Sequence, residues 1–312
     1  MLNLRGNIGI AIVCCLLGAC AESGADAQDA GAQIAAGVSG SEIFIVDLPL
    51  ERTRLGEQAL LNITNRRGYD NQPQFLPDGS ALLYTSIRDG RQSDVHRYDL
   101  AFSEHRRLTR TMESEYSPTV MPGGERFSSV RVEAEGAQRL WSFSMNGRSR
   151  RPILSDLSKI GYHTWLDKAE LALFVVGEPN ELLIADLGSG ESRVVARDIG
   201  RSLHMIPRRN ELSFVDKSND KRWLIRAVDL DTGRKRSVIA TLPGSEDFVW
   251  TPQGELLMAT GKRLYMWKRG FIRWRRLANW DGVLPGDIKR IAVSSQGDRL
   301  ALVVLEHDDK LT

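Results

Sequence analysis

Beyond residue 40 the chain is a succession of short apolar runs separated by Pro, Gly, Asp and Asn. The stretch PQFLPDGSALLYTSIRDG, Pro73 to Gly90, shows the pattern in compact form. It predicts a strand, a tight turn on Pro77-Asp78-Gly79, a second strand rich in Leu, Tyr and Thr, and a further turn at Asp89-Gly90. Sliding this layout along the chain finds it again. PTVMPGGERFSSV begins at Pro118, HTWLDKAELALF at His163, HMIPRRNELSFV at His204, FVWTPQGELLMA at Phe248 and IAVSSQGDRLAL at Ile291. Successive copies lie 45, 45, 41, 44 and 43 residues apart.

The third position of every copy is large and apolar (Phe75, Val120, Trp165, Ile206, Trp250, Val293), as expected where an inner strand packs between neighbouring sheets. A second register, ending RYDL at 100, SFSM at 145, IADL at 187 and AVDL at 230, is followed each time by a polar turn and a last strand. Four short strands per repeat of about 43 residues is the layout of a β-propeller blade. After Ile291 only two strands' worth of chain remains, and SEIFIVDLPLERTRLGEQALLNIT, 41 to 64, supplies the missing two. The expected fold is therefore all-β, a six-bladed propeller closed by strands from both termini, which removes the exposed sheet edge that a linear array would leave. Truncating either end should then destabilise the whole ring.

Composition narrows the picture. The chain has 312 residues, of which 42% are apolar and 26% charged, so a substantial core is affordable, and the net charge of +2 argues against nucleic acid as a partner. Cys14, Cys15 and Cys20 are the only cysteines, which excludes disulfides and thiolate metal sites in the rest of the chain. Arg5, an apolar run from Ile8 to Gly18 and then small residues read as an export signal. Within it Leu17, Gly18, Ala19 and Cys20 resemble a bacterial lipobox, which implies cleavage after residue 19 and lipidation at Cys20. Ala21 after the cysteine implies the periplasmic face of the outer membrane, and residues 20–40 read as a flexible tether ahead of a propeller domain over 41–312.

Residues 65–100 resemble the repeat of TolB-type (WD40-like) propellers, with Asp70, Pro73, Phe75, Pro77, Asp78, Gly79 and Arg88-Asp89-Gly90 at the matching positions. Phe75 and Leu76 replace the usual Trp and Ser. The match extends to the second blade through Glu115, Pro118 and Pro122 and continues as period alone to residue 312. It does not include the α/β domain that precedes the TolB propeller. The resemblance implies a propeller fold and an envelope setting.

Function must come from sites on the ring. A prolyl-oligopeptidase-like activity needs a hydrolase domain with a G-x-S-x-G elbow, which this sequence lacks. The DTG at 231–233 falls in a hairpin turn rather than in an aspartic-protease context. Asp70, Glu115, Glu246, Asp247 and Asp287 precede the inner strands and are candidates for binding a cation or a basic partner segment at one channel mouth, the alternative being solvated loop carboxylates. His163 and His204 share a repeat position; TolB-like propellers include an oligogalacturonate lyase with histidines and a metal, so a two-His metal site is one reading and interblade packing the other. In 262–280, seven Lys or Arg and five aromatics form a basic hairpin turning at Gly270. Lys268, Arg269, Arg273, Trp274 and Arg275 are candidates there for contact with an anionic surface, against the alternative of simple edge-strand protection.

The expected protein is a non-enzymatic, lipid-anchored envelope scaffold without a cofactor, binding a protein or glycan partner through one face. The other reading is a propeller enzyme acting on oligosaccharides or lactones with a metal at the channel mouth.

Overall fold

The computed structural model describes residues 40–49, 60–88 and 92–306. The expected export signal, Cys20, the Asp89-Gly90 turn and all of the tether but Gly40 lie outside the described residues.

All regular structure is β. The first two strands are β1 (Ser41–Asp47) and β2 (Leu61–Asn62). A first blade follows in β3 (Tyr69–Phe75), β4 (Ala81–Ile87), β5 (Ser93–Asp99) and β6 (Glu104–Arg107). The second contains β7 (Ser114–Val120), β8 (Arg126–Val132), β9 (Gln138–Ser144) and β10 (Arg150–Ile153), and the third β11 (Ile160–Trp165), β12 (Glu170–Val175), β13 (Glu181–Asp186) and β14 (Ser192–Arg197). The fourth is β15 (Ile199–Met205), β16 (Glu211–Asp216), β17 (Leu224–Asp229) and β18 (Lys235–Ala240). The fifth is β19 (Phe248–Trp250), β20 (Leu256–Thr260), β21 (Arg263–Trp267) and β22 (Arg275–Asn279). The last array pairs β23 (Ile288–Val293) and β24 (Arg299–Leu305) with β1 and then β2, so both ends of the described chain complete one antiparallel unit. It joins the first blade through a single parallel pair, Ser41 with Tyr69.

Period-two alternation explains why the second strands read as continuous apolar runs. In β4, Leu82 and Tyr84 pack towards β1 and β24, whereas Ala81 and Leu83 pack on Phe127 and Phe143 of the second blade. In β12, Ala172 and Phe174 face the fourth blade, while Leu171 and Leu173 face the second. β24 repeats the rule: Leu300, Leu302 and Val304 join the fifth-blade core, and Ala301 and Val303 the first-blade core. Each strand is thus apolar on both faces because neighbouring sheets cover both. The large third positions serve the same junctions. Trp165 and Trp250 add a polar staple, each donating its indole N–H at 2.9 Å to a serine of the preceding blade, Ser128 and Ser213.

In five of the six blades the hairpin after the inner strand contains a left-handed residue; the third-blade turn, 166–169, contains none. Gly79 (φ 72°), Gly124 (78°), Gly254 (87°) and Gly297 (75°) supply it, and in the fourth blade Arg208 adopts φ 62° at the corresponding turn. There a side chain tolerates a conformation that glycine reaches without steric cost.

Candidate functional site

Each blade is an up-and-down meander, so the six inner strands begin at one face of the ring. That face also carries the links between blades and the turns between second and third strands. A cavity of about 230 Å³ opens there, bounded by 243–247, 259–261 and 287–291, between the fourth, fifth and sixth blades. Its charged walls are Arg201, Glu246, Asp247, Asp287, Lys289 and Arg290.

Most of these charges hold one another. Glu246 lies 3.6 Å from Arg201 Nη1 and 3.3 Å from Lys217 Nζ. Burial raises its pKa, but Arg201, Lys217 and Arg290 outweigh that, and the carboxyl stays below its ordinary value. Asp247 accepts a 2.9 Å bond from the Ile291 N–H through Oδ1, while Oδ2 lies 3.8 Å from Arg290 and 3.4 Å from the Ser202 hydroxyl. Here burial wins, and the pKa is raised despite Arg290 and Arg201.

Arg290 also reaches across the ring. Its Nη2 donates to the Tyr162 hydroxyl at 2.6 Å, and its guanidinium carbon lies 4.9 Å from that ring's centre. Tyr162 belongs to β11 and Arg290 to β23, on opposite sides of the ring, so the bond spans it. Tyr69 is buried near the same charges, and burial keeps its phenol neutral by pushing its pKa far up. The cavity is a cup with Arg290, tied across the ring to Tyr162, in its wall. Asp287 and Lys289 stand on its rim, their side chains without a partner among the described residues.

The five acids of the sequence reading all start from this face but do not meet. Glu246, Asp247 and Asp287 line the cup. Asp70 is fully buried on the Arg66 guanidinium (2.8 Å), which also bonds Ser86. Glu115 is fully buried at the junction of the first two blades, bonded to the Thr111 hydroxyl and 3.8 Å from Arg131. Burial pushes the Glu115 carboxyl up to about 7, the nearby Asp94 adding to the effect and Thr111, Thr109 and Arg131 opposing it. A folded-state value above the unfolded one stabilises the fold at low pH, and that contribution disappears as pH rises through about 7. Glu115→Gln is accordingly expected to raise the melting temperature at pH 8 by several degrees and to leave it nearly unchanged at pH 4. Thermal melts at the two pH values check this; a lower melting temperature at pH 8 would mean that the pair with Arg131 outweighs desolvation.

The histidines serve packing. His163 Nε2 lies 2.7 Å from the Ser128 hydroxyl of the second blade, and His204 stacks edge-on against Phe248 of the fifth at 5.2 Å. They face different junctions, and no group of three His, Cys, Asp or Glu among the described residues is placed to hold a metal. The donor set does not fit the metal site considered from sequence. The basic hairpin also needs correction: β22 begins only at Arg275, so Arg273 and Trp274 lie in a loop, and the Trp274 indole turns inward to bond Ala240 O at 2.8 Å.

Sequence reasoning missed Tyr162 and Arg290. The signal was present, three residues before each third position, where Gln72, Ser117, Tyr162, Leu203, Asp247 and Arg290 form one register. Five of its six members are polar, and two of them meet across neighbouring blades, where the Ser117 N–H bonds Gln72 Oε1 at 2.7 Å.

No family model matches the chain, and no curated protein is significantly similar to it. Solved structures are. A putative TolB from Agrobacterium tumefaciens superposes with TM-score 0.67 at 15% identity, covering 87% of this chain and all of that one. A gluconolactonase from Xanthomonas campestris gives 0.61 at 10% identity over 86% and 98%, and an oligogalacturonate lyase in complex with manganese gives 0.54 at 15% over 80% of each chain. The fold is that of a TolB-like β-propeller.

Proposed function

We propose that the protein is a non-enzymatic binding scaffold of the cell envelope, engaging a polypeptide segment of mixed charge at the cup. The observation that carries this reading is the pairing inside the cup. Glu246 is held between Arg201 and Lys217, and Asp247 and Tyr162 hold Arg290, so these groups are committed to structure rather than to proton transfer. What remains for a ligand is the rim pair, Asp287 and Lys289, on a rigid ring. Rim charges of this kind set partner choice and association rate. The export signal of the sequence supports the envelope setting.

In-cell photocrosslinking from positions 287 and 289, with position 194 on an outer strand as control, tests it. One envelope protein captured only from the rim, and lost in Asp287→Lys/Lys289→Glu with an unchanged melting temperature, is the expected result. Capture indifferent to that charge swap, or turnover of an oligosaccharide or lactone that the swap abolishes, would overturn the reading.

A further inference from the structure

The connection between β21 and β22 is a prebuilt loop, 268–274, that joins the third and fourth strands of the fifth blade and packs against the end of β18 in the fourth. Two indoles pin it. Trp267 Nε1 donates to Phe271 O at 2.7 Å, and Trp274 Nε1 reaches Ala240 O of β18 at 2.8 Å. The Phe271 N–H bonds Lys268 O at 2.9 Å, turning the chain at Gly270, whose φ is 94°. The Phe271 ring lies under the Arg275 guanidinium (3.9 Å) and the Lys268 ammonium (5.2 Å).

With Phe271 and Trp274 drawn inward, the residue on that side of the loop is pushed out. Ile272 is 97% exposed, the most exposed large apolar residue of those described. Around it stand Lys268, Arg269, Arg273, Arg275 and Arg276, all exposed. None of the five pairs with a carboxylate among the described residues, whereas on the outer strands of the third and fourth blades Arg197 is held by Glu181 and Arg236 by Glu211. Other outer strands also carry exposed arginines unpaired with a carboxylate among the described residues, Arg150 and Arg151 in β10 and Arg193 in β14, but here five cations accompany a fully exposed isoleucine, more than edge protection requires.

We propose that this loop docks the protein on a bilayer carrying anionic phospholipid headgroups, with Ile272 entering the interface and the surrounding cations meeting phosphates. An acidic glycan would draw on the same cations but gain nothing from a fully exposed isoleucine, so the apolar tip favours a bilayer. The chain enters the fold at Ser41 on the cup face, and the residues from 20 to 40 reach up to about 70 Å when extended, enough to pass round the ring from a lipid at Cys20.

The test is co-sedimentation of the full chain, carrying Cys20→Ser in every variant, with phosphatidylcholine vesicles with and without phosphatidylglycerol. Binding should require phosphatidylglycerol and weaken with salt. It should fall at least about tenfold in Arg269→Glu/Arg273→Glu and about threefold in Ile272→Ser. Ile272→Ser should leave retention on heparin, a soluble polyanion, unchanged. All these side chains are exposed, so melting temperatures should match the parent. Vesicle binding untouched by the charge reversal overturns the proposal. So does a charge reversal that removes both vesicle and heparin binding while Ile272→Ser alters neither, a result that would assign the loop to an acidic glycan.

Discussion

A chain lacking residues up to Leu48 is expected not to fold, and Ile43→Asp alone should cost about 4 kcal/mol or more, because it places a carboxylate where no water or partner reaches it. β1 lies inside a sheet. It pairs with β24 over seven residues, from Ser41 with Leu305 to Asp47 with Arg299, and with β2 on its other side. Its two faces feed two cores: Ile43 and Ile45 pack with Phe75 and Tyr84 of the first blade, and Phe44 and Val46 with Leu264 and Leu277 of the fifth. Removing β1 would expose β24 and open two junctions at once, so the loss propagates round the ring. Ile43→Val, which removes one methylene, should cost only about 1 kcal/mol and retain a single cooperative transition. Urea unfolding followed by circular dichroism distinguishes these. A truncated chain that melts cooperatively near the parent temperature would show that the ring does not depend on this closure.

Acid should unfold the ring well before its carboxylates are all protonated. Burial lowers the pKa of His163 to about 3, His96 to about 3 and His204 to about 4, against an unfolded value of 6.5. Each folded-state value lies below the unfolded one, so neutral imidazole stabilises the fold above pH 6.5 and this contribution is lost as pH falls towards the folded values. For His163 alone the gap corresponds to roughly 5 kcal/mol at most, since each pH unit is worth about 1.4 kcal/mol. Asp70, Asp247 and Glu115, whose values are raised, act in the opposite sense below about pH 7, so the histidine effect is best isolated by substitution. His163→Gln, which keeps a polar atom towards Ser128, is expected to move the midpoint of acid unfolding down by about half a pH unit or more. An unmoved midpoint would mean that His163 becomes protonated without cost in the folded ring.

How much of this was legible in the sequence follows from what each signal measures. The repeat was readable because every blade needs a tight turn after its inner strand and the same large apolar residue ahead of it. Pro77-Asp78-Gly79 announces the first such turn by its chemistry, and even the atypical Arg208 turn keeps its place in the period. The closure by both ends was readable from chain length alone, once the last repeat was seen to lack two strands. The acids were readable as a row of carboxylates before inner strands but not as a site. Which of them is buried depends on cations that arrive from elsewhere, Arg66 from the link after β2 for Asp70 and Arg131 from β8 for Glu115.

The histidines show the same division. Their shared repeat position is a fact of sequence, and it placed both in inner strands. Whether two imidazoles at equivalent positions converge or diverge depends on the rotation from one blade to the next, which turns each towards its own neighbour, Ser128 for one and Phe248 for the other. Local chemistry, namely turn residues, alternation and period, therefore determined the all-β repeat by itself, because those signals act over a few residues along the chain. The cup, the bond across the ring and the exposed tip at Ile272 were decided only by tertiary structure. The Tyr162–Arg290 bond joins residues 128 positions apart, and only closure of the ring brings them to 2.6 Å.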